Sequence, residues 1–432
     1  MNNRTKRHKE GTTTMNRNTN NMNQTTAHLD FQDLPHVAYV KRAFPFCKSA
    51  KVGNLFYPVI ASNKLMEHIT FDEIFVEAAR KIKHKAFNPG GSEHGITKKA
   101  CDMLIDNPSF RDIIRQDLIR GIYEPERIMS APVFVAKHMA LPRGFKNTVN
   151  QIVQAMIMQY IKASGMDECM MLGAWGGTNE PGINMMIESV DYIRSKGFKY
   201  WISLKLRNYV AKIPHDRLAQ KIHIMFQDKK AANLICTLLD LQTPAADTHK
   251  GTKHVGIPKD SPLADTLAYN LYLSELDQKL RHLGLTHVRH NEEIIVFCNS
   301  LKSAEQAKDA ISAFAKHTLE CPVDQVRTRI KDIAHLAFVG LSLQGGRWRM
   351  QYSVKNAEAS DFLILLMAYA RSQKEHYLWT AYRRLTKFIS RYEGVYALKN
   401  EIQRLKKWRD DHFTSIIALA EKVKLGIVKL PD

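Results

Sequence analysis

The sequence is short of cysteine, of acids and of long apolar runs, and each shortage excludes something. Its six cysteines, at positions 47, 101, 169, 236, 298 and 321, stand far apart, and no Cys-x-x-Cys pair occurs. That spacing excludes a zinc ribbon and a disulfide framework, and it reads as reduced, mostly buried thiols of a cytoplasmic protein. No run of about 18 apolar residues is present, so no membrane-spanning helix is expected. The opening residues, MNNRTKRHKEGTTTMNRNTNNMNQTT, lack the apolar stretch that a signal peptide needs. Acids are outnumbered: 43 Asp and Glu face 63 Lys and Arg, a formal net charge of +20. Such an excess favours a polyanionic partner, nucleic acid before an anionic membrane. What is there in ordinary amount is apolar and charged residue, 44% and 25% of 432 residues. That length and balance suit about two to three globular domains with a sizeable core.

Residues 1–26 are rich in Asn and Thr and basic, without an aromatic residue, and read as a disordered leader. Residues 27–65 hold short apolar clusters and read as an ordered N-terminal extension. The spacing of Phe71, Ile74, Phe75, Ala78, Ala79 and Ile82 predicts a helix over 71–85 with Thr70 as its cap. Further helices are expected over 108–120, 148–163, 182–196, 215–227, 266–284 and 303–317. Strands are expected over 200–206, on both sides of Asn291 to Glu293, and as a pair within 334–354. The tail, 360–425, reads as helical. Within 371–411, eleven Lys and Arg face five acids and are interleaved with Tyr377, Trp379, Tyr382, Phe388, Tyr392, Tyr396 and Trp408. Such a face suits phosphates and stacked bases; a solvated face of a helical bundle has the same composition.

One stretch carries a chemical question. HVRHNEEIIVFC, residues 287–298, sets Glu292 and Glu293 side by side at the turn of a hairpin. An isolated Glu-Glu pair is ordinarily a solvated turn; the alternative is a metal site. His287 and His290 do not make a zinc site, because on a strand the two point to opposite faces.

The order of segments around this hairpin resembles the fingers and palm of reverse transcriptases, the group II intron type and related bacterial enzymes. The resemblance covers about 66–345. NPGGSEHGIT (88–97) and LIRGIYEPERIMSAPVFVAK (118–137) are similar to the family's fingers segments, and LPRGFKNTVNQIVQ (141–154) to its Arg-Pro-Leu-Gly-Ile-Pro segment. YWISLKLRNYVAKIPHDRLAQKI (200–222) is similar to motif A. GIPKDSPLADTLAYNLYLSELD (256–277) is similar to the Gly-Ile-Pro-Gln-Gly-Ser-Pro segment. VRHNEEIIVFC (288–298) is similar to motif C with its Tyr-Ala-Asp-Asp, and AFVGLSL (337–343) to the strand that follows.

The resemblance implies an α+β fold with a right-hand, polymerase-like arrangement. Fingers would occupy 66–199, a palm with an antiparallel sheet 200–355, and a helical basic thumb 356–432. It also implies three carboxylates that hold two Mg²⁺ ions for nucleotidyl transfer. Their positions here are Lys205, Glu292 and Glu293. An ammonium cannot ligate Mg²⁺ and repels it, and no acid lies between Phe198 and Ala211; the nearest are Asp191 and Asp216. The motif C tyrosine is His290, the aromatic pair of motif A is Tyr209-Val210, and the glutamine of the Gly-Ile-Pro turn is Lys259.

By the same resemblance, nucleic acid or nucleotide would be met by Lys137, Arg143, Tyr209, Val210, Lys259, Arg383, Arg384, Lys387, Arg391, Arg404, Lys406 and Lys407. The expected function is binding of structured RNA, in a maturase-like or accessory role, with polymerase activity lost. The expected partners are RNA or an RNA–DNA duplex and, beside it, an intron RNA or an active reverse transcriptase; no membrane is expected. The alternative is an active RNA-directed DNA polymerase with an atypical site, in a retroelement or antiphage system. Only that alternative requires Mg²⁺ or Mn²⁺. In the absence of a metal, Lys205 is expected to pair with one of the two glutamates; the alternative is that it reaches out to solvent and both glutamates are solvated.

Overall fold

The computed structural model of the chain describes residues 48–52, 55–59, 65–86, 98–124, 145–163, 174–175, 183–242, 255–257, 261–264, 266–425 and 427–428. The basic leader, Lys137, Arg143 and Lys259 lie outside these residues. The first described elements are a hairpin, β1 (Lys48–Val52) and β2 (Leu55–Val59), and the short helix α1 (Leu65–His68). Four helices follow: α2 (Asp72–Ala86), α3 (Lys98–Asp106), α4 (Pro108–Arg120) and α5 (Phe145–Ala163).

α4 has the sequence logic of a capped helix. Pro108 opens it, where a missing N–H costs nothing, and Gly121 closes it at φ +72°, a left-handed conformation that suits glycine. α2 departs from expectation at its start. The Thr70 hydroxyl donates to the Glu67 carbonyl of the preceding helix, and Phe71, counted in the apolar stripe, is 52% exposed. Asp72 is instead gripped by the Arg111 guanidinium, at 2.7 and 2.8 Å, which ties α2 to α4 and holds the Asp72 carboxyl below its usual range.

The short strand β3 (Ala174–Trp175) and helix α6 (Ile183–Ser195) lead into β4 (Tyr200–Lys205). Then come α7 (His215–Met225), α8 (Lys229–Gln242), a π-helical segment (Thr266–Tyr272) and α9 (Ser274–His282). The sequence reads as one helix over 266–284; the structure divides it at Leu273. The hairpin β5 (His287–His290) and β6 (Glu293–Cys298) follows. Next is α10 (Leu301–His317), which starts earlier than expected because Ser300 and Ser303 form a reciprocal capping box.

The chain continues through β7 (Arg329–Asp332), β8 (Ala337–Phe338), β9 (Leu341–Gln344) and β10 (Arg347–Met350), one strand more after β7 than the expected pair. It ends in three helices, α11 (Tyr352–Ser372), α12 (Glu375–Tyr392) and α13 (Lys399–Lys424). α11 runs across the 355/356 position at which the sequence suggests a thumb would begin.

The central sheet has the order β3-β5-β6-β4-β7, antiparallel except for the β3–β5 pair; a smaller sheet has the order β10-β9-β8. The two faces of the central sheet serve two cores. Ile202, Leu204, Ile294, Val296 and Cys298 point to the first, built with α2–α5 and α7–α10. Trp201, Val288, Ile295 and Phe297 point to the second, built with α6, β8–β10 and α11–α13. This is the period-two alternation of strands buried on both sides, and each such side chain contributes about 1.5–3 kcal/mol by leaving water. The architecture is a helix-rich α+β fold with small antiparallel sheets. Among the described residues no helix is long and apolar enough to cross a membrane. Cys101, Cys298 and Cys321 are free and buried, and burial pushes their thiols up to about 11, 11 and 12.

Candidate functional site

Strand register brings the motif A and motif C positions together. Lys205 at the end of β4 lies directly opposite Glu293 at the start of β6, and Glu293 in turn lies opposite His290 at the end of β5. Residues opposite one another share a face, so His290, Glu293 and Lys205 form a row across three strands. Lys205 Nζ is 3.0 Å from Glu293 Oε1. The other carboxylate oxygen, Oε2, accepts the Val339 backbone N–H at 3.2 Å. Glu292 does not join them. It sits in the turn after Asn291, is exposed, and makes no hydrogen bond or ion pair among the described residues.

The face that carries the row is covered by the C-terminal elements. Val339 and Gly340 form the turn between β8 and β9, with φ of 48° and 79°. A β-branched residue rarely takes a positive φ, and here Val339 is held at both polar groups. Its N–H goes to Glu293, and its carbonyl accepts the Tyr392 hydroxyl at 2.8 Å. Tyr392 is the last residue of α12 and is fully buried. Its neighbour Arg391 places Nη2 3.4 Å from His290 Nε2. Burial first, and then the positive charges of Arg391 and Arg289, push the His290 imidazole down to about 4, so at neutral pH it is uncharged.

Beneath the hairpin, Arg289 is fully buried and clasps Asp277 of α9 through Nε and Nη2, at 2.9 and 2.7 Å. Its Nη1 donates to the Asn291 carbonyl at 2.9 Å, which fixes the turn ahead of Glu292 and Glu293. Burial alone would raise the Asp277 carboxyl; Arg289 and His287 outweigh it and hold it low. His287 therefore belongs to the Asp277 side and His290 to the Arg391 side. Among the described residues no group of three or more His, Cys, Asp and Glu is placed to hold a metal.

Among the described residues no third carboxylate joins the row. Asp191 accepts from Trp348 Nε1 and from Arg194, at 3.0 and 2.7 Å. Asp324 is an acid that the fold brings to the Lys205 end of β4, by donating its N–H to the Lys205 carbonyl at 2.8 Å. Its carboxylate caps its own turn at the N–H groups of Val326 and Arg327. The row has one carboxylate already paired with an ammonium, and these residues do not fit a Mg²⁺ or Mn²⁺ pair.

The residues assigned to nucleic acid separate into groups. Tyr209 is a core residue: it is 3% exposed, its hydroxyl donates to the Ala268 carbonyl, and its ring packs against Tyr269 and Tyr272. It is not open to a nucleotide. Val210 is half-buried against the same core. On α12, Arg384 is engaged by Glu358 and Asp361 of α11, and Arg383 donates to the Trp379 carbonyl. On α13, Lys406 pairs with Glu393. Lys387, Arg404 and Lys407 are exposed and have no carboxylate partner among the described residues. The parts of the site that sequence reasoning missed are Val339, Tyr392 and Asp324. They reach the row through tertiary packing that leaves no local pattern.

No protein-family model and no curated protein matches the sequence. Solved structures resemble the fold at low identity. Apo telomerase from Candida tropicalis gives a TM-score of 0.42 at 11% identity, over 68% of this chain and 56% of that one. The same telomerase truncated from its C-terminal domain gives 0.35 at 12%, over 55% and 48%. Telomerase from Candida albicans, in complex with the TWJ fragment of telomeric RNA, gives 0.35 at 10%, over 70% and 54%. This chain spans about half the length of each of these structures.

Proposed function

We propose that this chain is a reverse-transcriptase-like RNA-binding protein whose polymerase metal site is replaced by an ion pair. It binds structured RNA or an RNA–DNA duplex and adds no nucleotides. The observation that carries the reading is the Lys205–Glu293 contact of 3.0 Å at register-paired positions of β4 and β6. In the motif resemblance these positions belong to metal-ligating acids. Two further facts support it: the net charge of +20, and the exposed cations of α12 and α13. The role that fits is accessory or maturase-like, beside an intron RNA or an active relative.

Primer extension on an RNA template with Mg²⁺ or Mn²⁺, run beside an RNA-binding titration, tests the proposal. The natural protein should bind RNA in a salt-dependent manner and leave the primer unextended. A variant with Lys205→Asp, Glu292→Asp and Glu293→Asp should bind RNA equally well and is the one from which any extension would come. Extension by the natural protein overturns the reading in favour of an active polymerase, and absence of RNA binding overturns it altogether.

A further inference from the structure

A cleft of about 970 Å³ opens between β10, the start of α11 and the start of α13. It lies on elements other than those of the Lys205–Glu293 row. Its wall carries Arg349, Lys355 and Arg404, the amide of Asn356, and the rings of Tyr352 and Trp408. Glu401, also in the wall, is 3.4 Å from Lys355 and accepts the Met350 N–H at 3.4 Å. Arg349 and Arg404 are exposed and have no ion-pair partner among the described residues, so the cleft keeps a positive balance. Tyr352 is 75% exposed, a large ring at the mouth of a cationic groove. Beside β10, the turn before α13 carries Tyr396, which is 90% exposed.

We infer that this cleft takes a short run of single-stranded nucleic acid. Two guanidinium groups beside the open ring of Tyr352 are what a flexible phosphodiester with unpaired bases requires. Phosphates meet the cations while bases stack on the rings, and the stacking is tolerant of sequence. A duplex keeps its base faces for itself and would leave Tyr352 unused. The volume is at the upper end of the roughly 300–1,000 Å³ of small-ligand sites, which suits a few nucleotides. The inference rests on the proposed RNA-binding function and adds a second, single-strand site to it.

The test is fluorescence anisotropy with the full chain and a labelled ten-nucleotide oligo-U. An oligo-dT of the same length forms a second arm, and a hairpin RNA is the control ligand. Tyr352→Ala and the double change Arg349→Gln with Arg404→Gln should each weaken oligo-U binding about tenfold, while Tyr352→Phe keeps it. Hairpin binding should hold within about twofold for Tyr352→Ala. Equal losses in both arms assign the cleft to single strands in general; a loss for oligo-U alone assigns it to RNA. Ultraviolet cross-linking should place the oligonucleotide on peptides containing Tyr352 or Trp408. If the natural protein binds the hairpin but not the single strands, or the variants bind oligo-U as the natural protein does, the cleft inference is overturned and the RNA-binding reading stands. If neither ligand binds, both fall.

Discussion

Lys205 and Glu293 meet with 33% and 28% of their side chains exposed, so water screens their attraction. A pair of this kind contributes about 0–1 kcal/mol. Removing the charge by Lys205→Met should therefore change stability by less than about 1 kcal/mol. Lys205→Asp does more, because it sets two carboxylates directly opposite each other, which is itself destabilising. A loss of about 1–2 kcal/mol is expected in denaturant unfolding without added metal, shrinking toward 1 M salt as the repulsion is screened. An Asp variant as stable as the natural protein would show that the ammonium is not what neutralises Glu293. His290, in the same row, gives a pH signature. Its imidazole sits at about 4 in the fold, against about 6.5 in an unfolded chain. The unfolded chain takes up the proton first as pH falls. The contribution of His290 is thus complete above about 6.5 and is lost progressively down to about 4, by up to about 3 kcal/mol. The stability difference between the natural protein and His290→Gln should shift against the natural protein by up to about 3 kcal/mol as pH falls across that window; parallel profiles would mean that His290 protonates freely in the fold.

At the scale of elements, the junction of α12 with the β8–β9 turn decides how the row is covered. Gly340 has φ +79°, and a Cβ there would lie 2.7 Å from Tyr392 Oη and 3.4 Å from Val354 Cγ1. Gly340→Ala should cost about 1–3 kcal/mol, from the left-handed backbone and the crowded hydroxyl together. Tyr392→Phe should cost about 1 kcal/mol, for the lost bond to the Val339 carbonyl. The two should not add. With the hydroxyl gone, the alanine methyl has room, so the double variant should be more stable than the sum of the singles predicts. Full additivity in thermal unfolding would mean that the glycine is not there to admit Tyr392. This junction was not legible in the sequence: Tyr392 and Val339 are 53 residues apart, and no periodicity reports a contact of that range. Of the row beneath it, the meeting of Lys205 with one of the two glutamates was legible, through the motif resemblance; which one was not, because the sequence puts both acids in the turn, whereas Glu293 begins β6 directly opposite Lys205. Tyr209 was misplaced for a related reason. A motif position specifies a residue's place in the chain, while its burial depends on Tyr269 and Tyr272, which reach it from another segment.

For the whole molecule, the excess of 63 basic over 43 acidic residues sets a field, and internal pairing decides how much of it is left for a partner. Arg384, Arg391 and Lys406 are engaged within the fold, whereas Lys387, Arg404 and Lys407 are exposed without a carboxylate partner among the described residues, and Arg383 is held only by a carbonyl. Each cation that neutralises a phosphate releases a counterion and adds about 0.7–0.9 to the slope of log affinity against log salt. If Arg383, Lys387, Arg404 and Lys407 all meet phosphates, their joint replacement by Gln should flatten that slope by about three. It should also weaken binding most at low salt. The paired set, Arg384 and Lys406 replaced by Gln, should change the slope by less than about one, because their charge is already answered by Asp361 and Glu393. RNA titrations from 50 to 300 mM KCl separate the two sets. A slope unchanged by the first set would place the phosphate contacts elsewhere in the chain, with Lys137, Arg143 and Lys259 the next residues to replace.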